Sequence, residues 1–155
     1  MKKAAILILL LFAIFTAAAQ KKQIDTLRLA LSKAKTDTMR FEALRILSRA
    51  YYISNLDSLI IFEQQGYSLA KKNNWIANQA KCLNGVGNAY SNLGDYVKAT
   101  LFHLKALRIS EGLNDIFGMS TINNNIGSTY IQQDDYKKAL TYLRLAQIQL
   151  NTLAS

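Results

Sequence analysis

The chain has 155 residues, half of them hydrophobic, with no proline, one cysteine and a formal net charge of +9. That length suits one domain with its own core, and a lone Cys82 excludes an internal disulfide. The basic residues are scattered, with only short pairs such as Lys71-Lys72 and Lys137-Lys138, which argues against nucleic acid, whose binders cluster cations on one face.

Residues 1–20 read as a secretory signal. Lys2 and Lys3 give the positive start, Ala4 to Phe15 is an unbroken apolar run, and Ala17-Ala18-Ala19 supplies small residues for cleavage. The run falls short of the roughly 20 residues that span a bilayer, and no Cys follows it for lipoprotein processing. The expectation is an exported bacterial protein, periplasmic or secreted. Membrane attachment through this segment is expected only if it stays uncleaved.

In segment 21–36, Ile24, Leu27, Leu29 and Leu31 predict a helix over about 22–34, and Thr36-Asp37-Thr38 breaks it and caps the next. Two helix types then alternate. The first is predicted over 38–54, 75–92 and 115–132, the second over 57–73, 95–113 and 135–151. Asp57, Asp95 and Asp135 each stand at the start of a second-type helix, where a carboxylate accepts from free amides and offsets the helix dipole.

Internal recurrence organises these helices. Gly87-Asn88-Ala89-Tyr90 returns as Gly127-Ser128-Thr129-Tyr130, and Tyr96 with Ala99 returns as Tyr136 with Ala139. Phe62, Phe102 and Tyr142 are 40 residues apart, as are Gly66, Ala106 and Ala146. Such a period signals stacked repeats. Gly87 and Gly127 lie inside helices, where Gly costs up to about 1 kcal/mol; the offset expected is a close approach of two helix backbones.

The set Gly87, Tyr90, Tyr96, Ala99, Ala106 and its copy Gly127, Tyr130, Tyr136, Ala139, Ala146 resembles the tetratricopeptide repeat. A first unit from Phe41 to Asn74 is degenerate, keeping Ser48 and Tyr51 but placing Leu59 and Gly66 where Ala is expected. The resemblance implies an all-α fold, a right-handed α-solenoid of antiparallel helix pairs over 37–155. Its repeats fall at about 41–74, 80–114 and 120–153.

In that family the first helix of each pair lines a concave groove. By register the groove is expected to show Glu42, Arg45, Arg49 and Tyr52, then Lys81, Asn84, Asn88 and Ser91, then Thr121, Asn124, Ser128 and Ile131. Spacings of three and four keep each set on one helical face. The candidate peptide-binding residues are Arg45, Arg49, Tyr52, Lys81, Asn84, Asn88, Asn124 and Ser128, a cationic, amide-rich strip suited to a carboxylate and an extended backbone.

Nothing in the sequence supports catalysis. His103 is the single histidine and follows Phe102 on a packing helix, and Cys82 aligns with core positions. No Cys/His cluster offers a metal site, and Gly85-Val86-Gly87 lacks the phosphate-loop lysine. The expected function is a non-catalytic scaffold without cofactor or metal, binding a protein or peptide, acidic by charge complementarity, in the cell envelope. The alternative is a periplasmic sensory segment of a histidine kinase or transcriptional regulator. Leu145, Ile148, Leu150 and Leu153 on the last helix predict a homodimer contact, or a longer chain.

Overall fold

The computed structural model describes residues 20–154; the predicted signal segment otherwise lies outside the described residues. Residues 20–32 form α1. Six further helices follow: α2 (Asp37–Ala50), α3 (Leu56–Lys72), α4 (Ile76–Asn92), α5 (Tyr96–Gly112), α6 (Ile116–Gln132) and α7 (Tyr136–Ala154). They pack in chain order as antiparallel pairs α2/α3, α4/α5 and α6/α7, each pair stacked on the next, an α-solenoid. α1 lays Ile24, Leu27 and Leu31 against the Leu47–Tyr51 end of the stack.

The 40-residue period has a simple mechanical origin. Helices α3 to α6 are each 17 residues long and joined by three-residue turns. Asn74, Gly94, Asn114 and Asp134 take positive φ, between 52° and 78°, one in each turn. Asn, Asp and Gly tolerate that left-handed backbone best. Side-chain caps restart the helices: Thr36 accepts from Met39 N, Asp95 from Lys98 N, Asp115 from Gly118 N and Asp135 from Lys138 N.

The first hairpin departs from expectation. α2 stops at Ala50 rather than running to Ser54: Tyr51 is its C-cap, the backbone turns back through Asn55 N donating to Tyr51 O at 2.9 Å, and Asn55 Oδ1 accepts from Ser58 N at 2.8 Å to start α3. Asn55, not Asp57, is therefore the cap of α3.

Each pair is clamped by one ring stack between its two helices. Tyr51 stacks on Phe62 at 5.6 Å, Tyr90 on Phe102 at 5.6 Å, and Tyr130 on Tyr142 at 5.7 Å. Such contacts add about 0.5–1.5 kcal/mol beyond the area buried. A cation covers the tyrosine each time: Arg28 of α1 over Tyr51, Lys98 over Tyr90 and Lys138 over Tyr130. Ala99, Ala106, Ala139 and Ala146 are buried beside these stacks. Trp75 sets its ring edge-on to Phe41 at 5.7 Å and fastens the turn before α4.

The expected backbone approach at the helical glycines holds for one and not for the other. At Gly127 a Cβ would lie 3.3 Å from the Ala139 carbonyl oxygen and 2.7 Å from Leu143 Cγ. At Gly87 the neighbour is instead the ring of His103.

Candidate functional site

α4 approaches α6 directly, whereas α5 and α7 do not meet among the described residues. The first helices of the second and third pairs therefore crowd together on the inner side of the curve, and the second helices splay on the outer side. This makes the faces of α4 and α6 the candidate groove.

The strip of candidate residues divides into outward-pointing and inward-tied groups. Arg49, Lys81, Asn124 and Ser128 are exposed, and Asn88 is half-buried. Among the described residues none of these has a carboxylate partner. Glu42, Thr121 and Ile131 are exposed on the same face, while Ser91 is buried and hydrogen-bonded to Thr129 and Gln132 across α6. Tyr52 is exposed, but it lies in the turn after α2 rather than on its face, because the helix ends before it.

Arg45 and Asn84 turn into the protein. Arg45 Nη1 donates to both carboxylate oxygens of Glu63 on α3 at 2.5 Å, and Ser48 Oγ donates to Glu63 Oε1. Glu63 is only 3% exposed, so this pair is a packing feature between α2 and α3. Asn84 Oδ1 accepts from His103 Nδ1 at 2.8 Å and from Asn125 Nδ2 at 3.1 Å, linking α4 to α5 and α6. His103 is wholly buried, and desolvation pushes its pKa down to about 4, so the ring is neutral at pH 7.

The sequence reading missed Glu63. The signal was present: Glu63, His103 and Leu143 stand 40 residues apart and face Ser48, Gly87 and Gly127. One structural position thus carries a charge, a neutral polar ring and an alkyl group in successive repeats.

A cavity of about 120 Å³ opens between α4 and α6, with Lys81 and Asn84 on one wall and Phe117 and Thr121 on the other. Phe117 is 66% exposed at its mouth. Lys81 offers a cation, Phe117 an apolar surface, and the Asn and Ser side chains along α4 and α6 offer paired donors and acceptors. A larger cavity of about 590 Å³ lies between α1, α2 and α3, away from this face. Among the described residues, no group of His, Cys, Asp and Glu could hold a metal ion. Also among them, no helix is long and apolar enough to cross a membrane.

Family models described as tetratricopeptide repeat match residues 79–114 and 120–147. The fold is similar to that of the apo form of RapI, with a TM-score of 0.77 and 21% identity over 91% of this chain and 41% of that one. It is similar to BtubC (BKLC) from P. vanneervenii at TM-score 0.75 and 16% identity, covering 88% of this chain and 58% of that one. A Rap protein complexed with Competence and Sporulation Factor aligns at TM-score 0.76 and 17% identity, over 91% of this chain and 41% of that one. The chain spans less than two thirds of the length of each, and at these identities the likeness is one of fold. No curated protein matches the chain.

Proposed function

From the premise that the chain is a tetratricopeptide-repeat protein, built to present a surface for protein interaction, we propose that its inner face binds an extended peptide segment of a partner in the cell envelope. The observation that carries this is the row of outward-pointing polar side chains on α4 and α6, with the Lys81–Phe117 cavity between them. Alternating amides and hydroxyls suit a peptide backbone, and unpaired Arg49 and Lys81 suit an acidic side chain or terminal carboxylate. The Rap protein solved with Competence and Sporulation Factor lends support as a similar fold holding a ligand. The envelope location rests on the signal-like residues 1–20. A role as the sensory segment of a signal transducer would use the same groove as its input site.

The test is capture of envelope proteins by the intact chain, followed by the same capture with Arg49→Glu, Lys81→Glu, Asn88→Ala and Asn124→Ala combined. Among the described residues these side chains make no ion pair that holds the fold, so the variant keeps its thermal midpoint and loses the captured partner. Capture that survives the four changes removes the groove from this role. Arg45 and Asn84 are unsuitable for the test because replacing either disturbs packing.

The stacking edge of α7 is proposed to seat a second copy. Ser110 on α5 is buried against α6, whereas its counterpart on α7, Leu150, is 44% exposed. Light scattering should give twice the chain mass, returning to one on Leu150→Lys with Leu153→Lys; a single-chain mass for the unaltered protein rejects the contact.

A further inference from the structure

The outer face of the stack has a composition of its own. On α5, Val97, Leu101 and Leu104 recur at spacings of four and three and are all exposed, Val97 at 81%. Arg108 continues that row and Lys105 lies beside it. The matching row on α7, one repeat later, is Lys137, Thr141, Arg144 and Ile148. Glu111 is the one carboxylate on α5, and α7 has none. Lys98 and Lys138 are paired with Asp95 and Asp135. Lys105, Arg108 and Arg144 have no ion pair among the described residues, and Lys137 lies near Asp135, which is bridged to Lys138. Single exposed aliphatics are ordinary; a row of three, flanked by unneutralised cations, is not.

A cleft of about 380 Å³ lies on this same face, between α3 and α5 and above α4. Tyr67, Leu83, Val86 and Phe102 make its lining apolar, and exposed Lys105 and Arg108 belong to its rim. Lys105 Nζ stands 5.2 Å from the Phe102 ring centroid, over the apolar wall. One repeat later Lys105 and Arg108 become Leu145 and Ile148, and Asn123 is bonded to Gln149 across α6 and α7. The cationic rim is thus confined to one place.

We propose that this outer face docks on a membrane surface rich in anionic lipid. Lys105 and Arg108 hold a lipid phosphate, the cleft takes the apolar part of that lipid, and Val97, Leu101 and Leu104 enter the interface. Cations interleaved with alkyl side chains are what an anionic bilayer surface selects, since the charges meet phosphates while the alkyl groups reach the acyl boundary. A nucleic acid would leave the apolar cleft unfilled. The inner groove stays open in this pose, so the proposal is independent of the peptide-binding reading.

The experiment is co-sedimentation of the full chain with vesicles of phosphatidylcholine alone and of phosphatidylglycerol mixed with phosphatidylcholine, at physiological salt. The expected result is preference for the anionic vesicles. A cation near such a surface contributes about a fivefold gain in binding, so Lys105→Glu, Arg108→Glu and Arg144→Glu together should cut anionic-vesicle binding by more than roughly 100-fold, the factor that loss of three cations alone gives before the new carboxylates repel the surface. Leu101→Ser with Leu104→Ser should weaken it with the helical signal and thermal midpoint unchanged. Residues 1–19 are common to every variant, so any insertion through them cancels in the comparison. The four groove substitutions should leave vesicle binding intact. Equal binding of the unaltered chain to both vesicle types, or anionic preference that survives the three charge reversals, overturns the proposal. So does a result in which these residues capture a protein while no vesicle binds.

Discussion

Gly87 on α4 faces the imidazole of His103 on α5 so closely that a Cβ on the glycine would lie 2.6 Å from both Cε1 and Nδ1 of the ring. The ring cannot swing away, because it is wholly buried and bonded to Asn84. Gly87→Ala should therefore destabilise the fold by about 1–3 kcal/mol, the range for overpacking, where an alanine in an ordinary helix gains up to about 1 kcal/mol. His103→Ala removes the obstacle, so the double variant should lose less than the sum of the singles by at least about 0.5 kcal/mol. Denaturant unfolding of the four proteins measures this, and strict additivity would show that the ring is not what excludes a side chain at position 87.

The equivalent position one repeat earlier makes a different prediction. Glu63 accepts from Arg45 and Ser48 while almost wholly buried. Glu63→Ala strands a partly buried guanidinium, and removal of one partner of such a pair typically costs about 3 kcal/mol. Replacing both, with Glu63→Leu and Arg45→Met, should recover most of that loss, since leucine already fills the matching position at Leu143. Urea midpoints decide it: a double variant as unstable as Glu63→Ala means the charge pair itself holds α2 to α3.

These two sites mark where the sequence stopped being legible. The helix-pair architecture could be read because Tyr90, Tyr130, Phe102 and Tyr142 recur as residue types, and ring stacking demands that recurrence. Arg49, Lys81, Asn124 and Ser128 could be placed on an outward face because the tyrosines fix the helical register. Arg45 and Asn84 share that face in register, yet each bends toward a polar side chain on the next helix, Glu63 or His103. That series changes from acid to imidazole to alkyl, so identity matching passes over it and spacing alone reveals it. The early end of α2 was hidden because Tyr51-Tyr52-Ile53-Ser54 holds no Gly or Pro to mark a helix stop, and the cap of α3 falls on Asn55 rather than on the carboxylate at Asp57.

Cys82 should behave as part of the core. It is fully buried near Glu63, Arg45 and Gly66, and burial, with Glu63 adding to it, pushes its thiol up to about 12. The thiolate is the reactive form, so a thiol reagent at pH 8 should label the native chain far more slowly than the urea-unfolded chain. The logarithm of the native rate should rise in Glu63→Ala in proportion to the lost stability, about tenfold for each 1.4 kcal/mol, as expected when labelling requires opening. Labelling at the unfolded rate without denaturant would place this cysteine at the surface.

His103 sets the expected pH dependence. Its pKa is about 4 in the fold, by desolvation, against 6.5 for the free side chain. Protonating it would charge a buried ring whose Nε2 has no hydrogen-bond partner among the described residues. The unfolded chain therefore binds a proton that the folded chain refuses between pH 6.5 and 4. Stability is fully present above pH 6.5 and falls as pH drops through that window, by about 3 kcal/mol in all. The carboxylates of Asp37, Asp95 and Asp135, held below the usual range chiefly by hydrogen bonds from Asn73, Lys98 and Lys138 respectively, weaken the fold only below this window, as pH falls under the ordinary carboxylate value of 3.8. His103→Leu puts the residue of the third repeat into the second and leaves Asn84 bonded to Asn125. Thermal midpoints of this variant should be flat between pH 6.5 and 5, where the unaltered chain declines. A decline of equal slope in both proteins would move the acid sensitivity to another group.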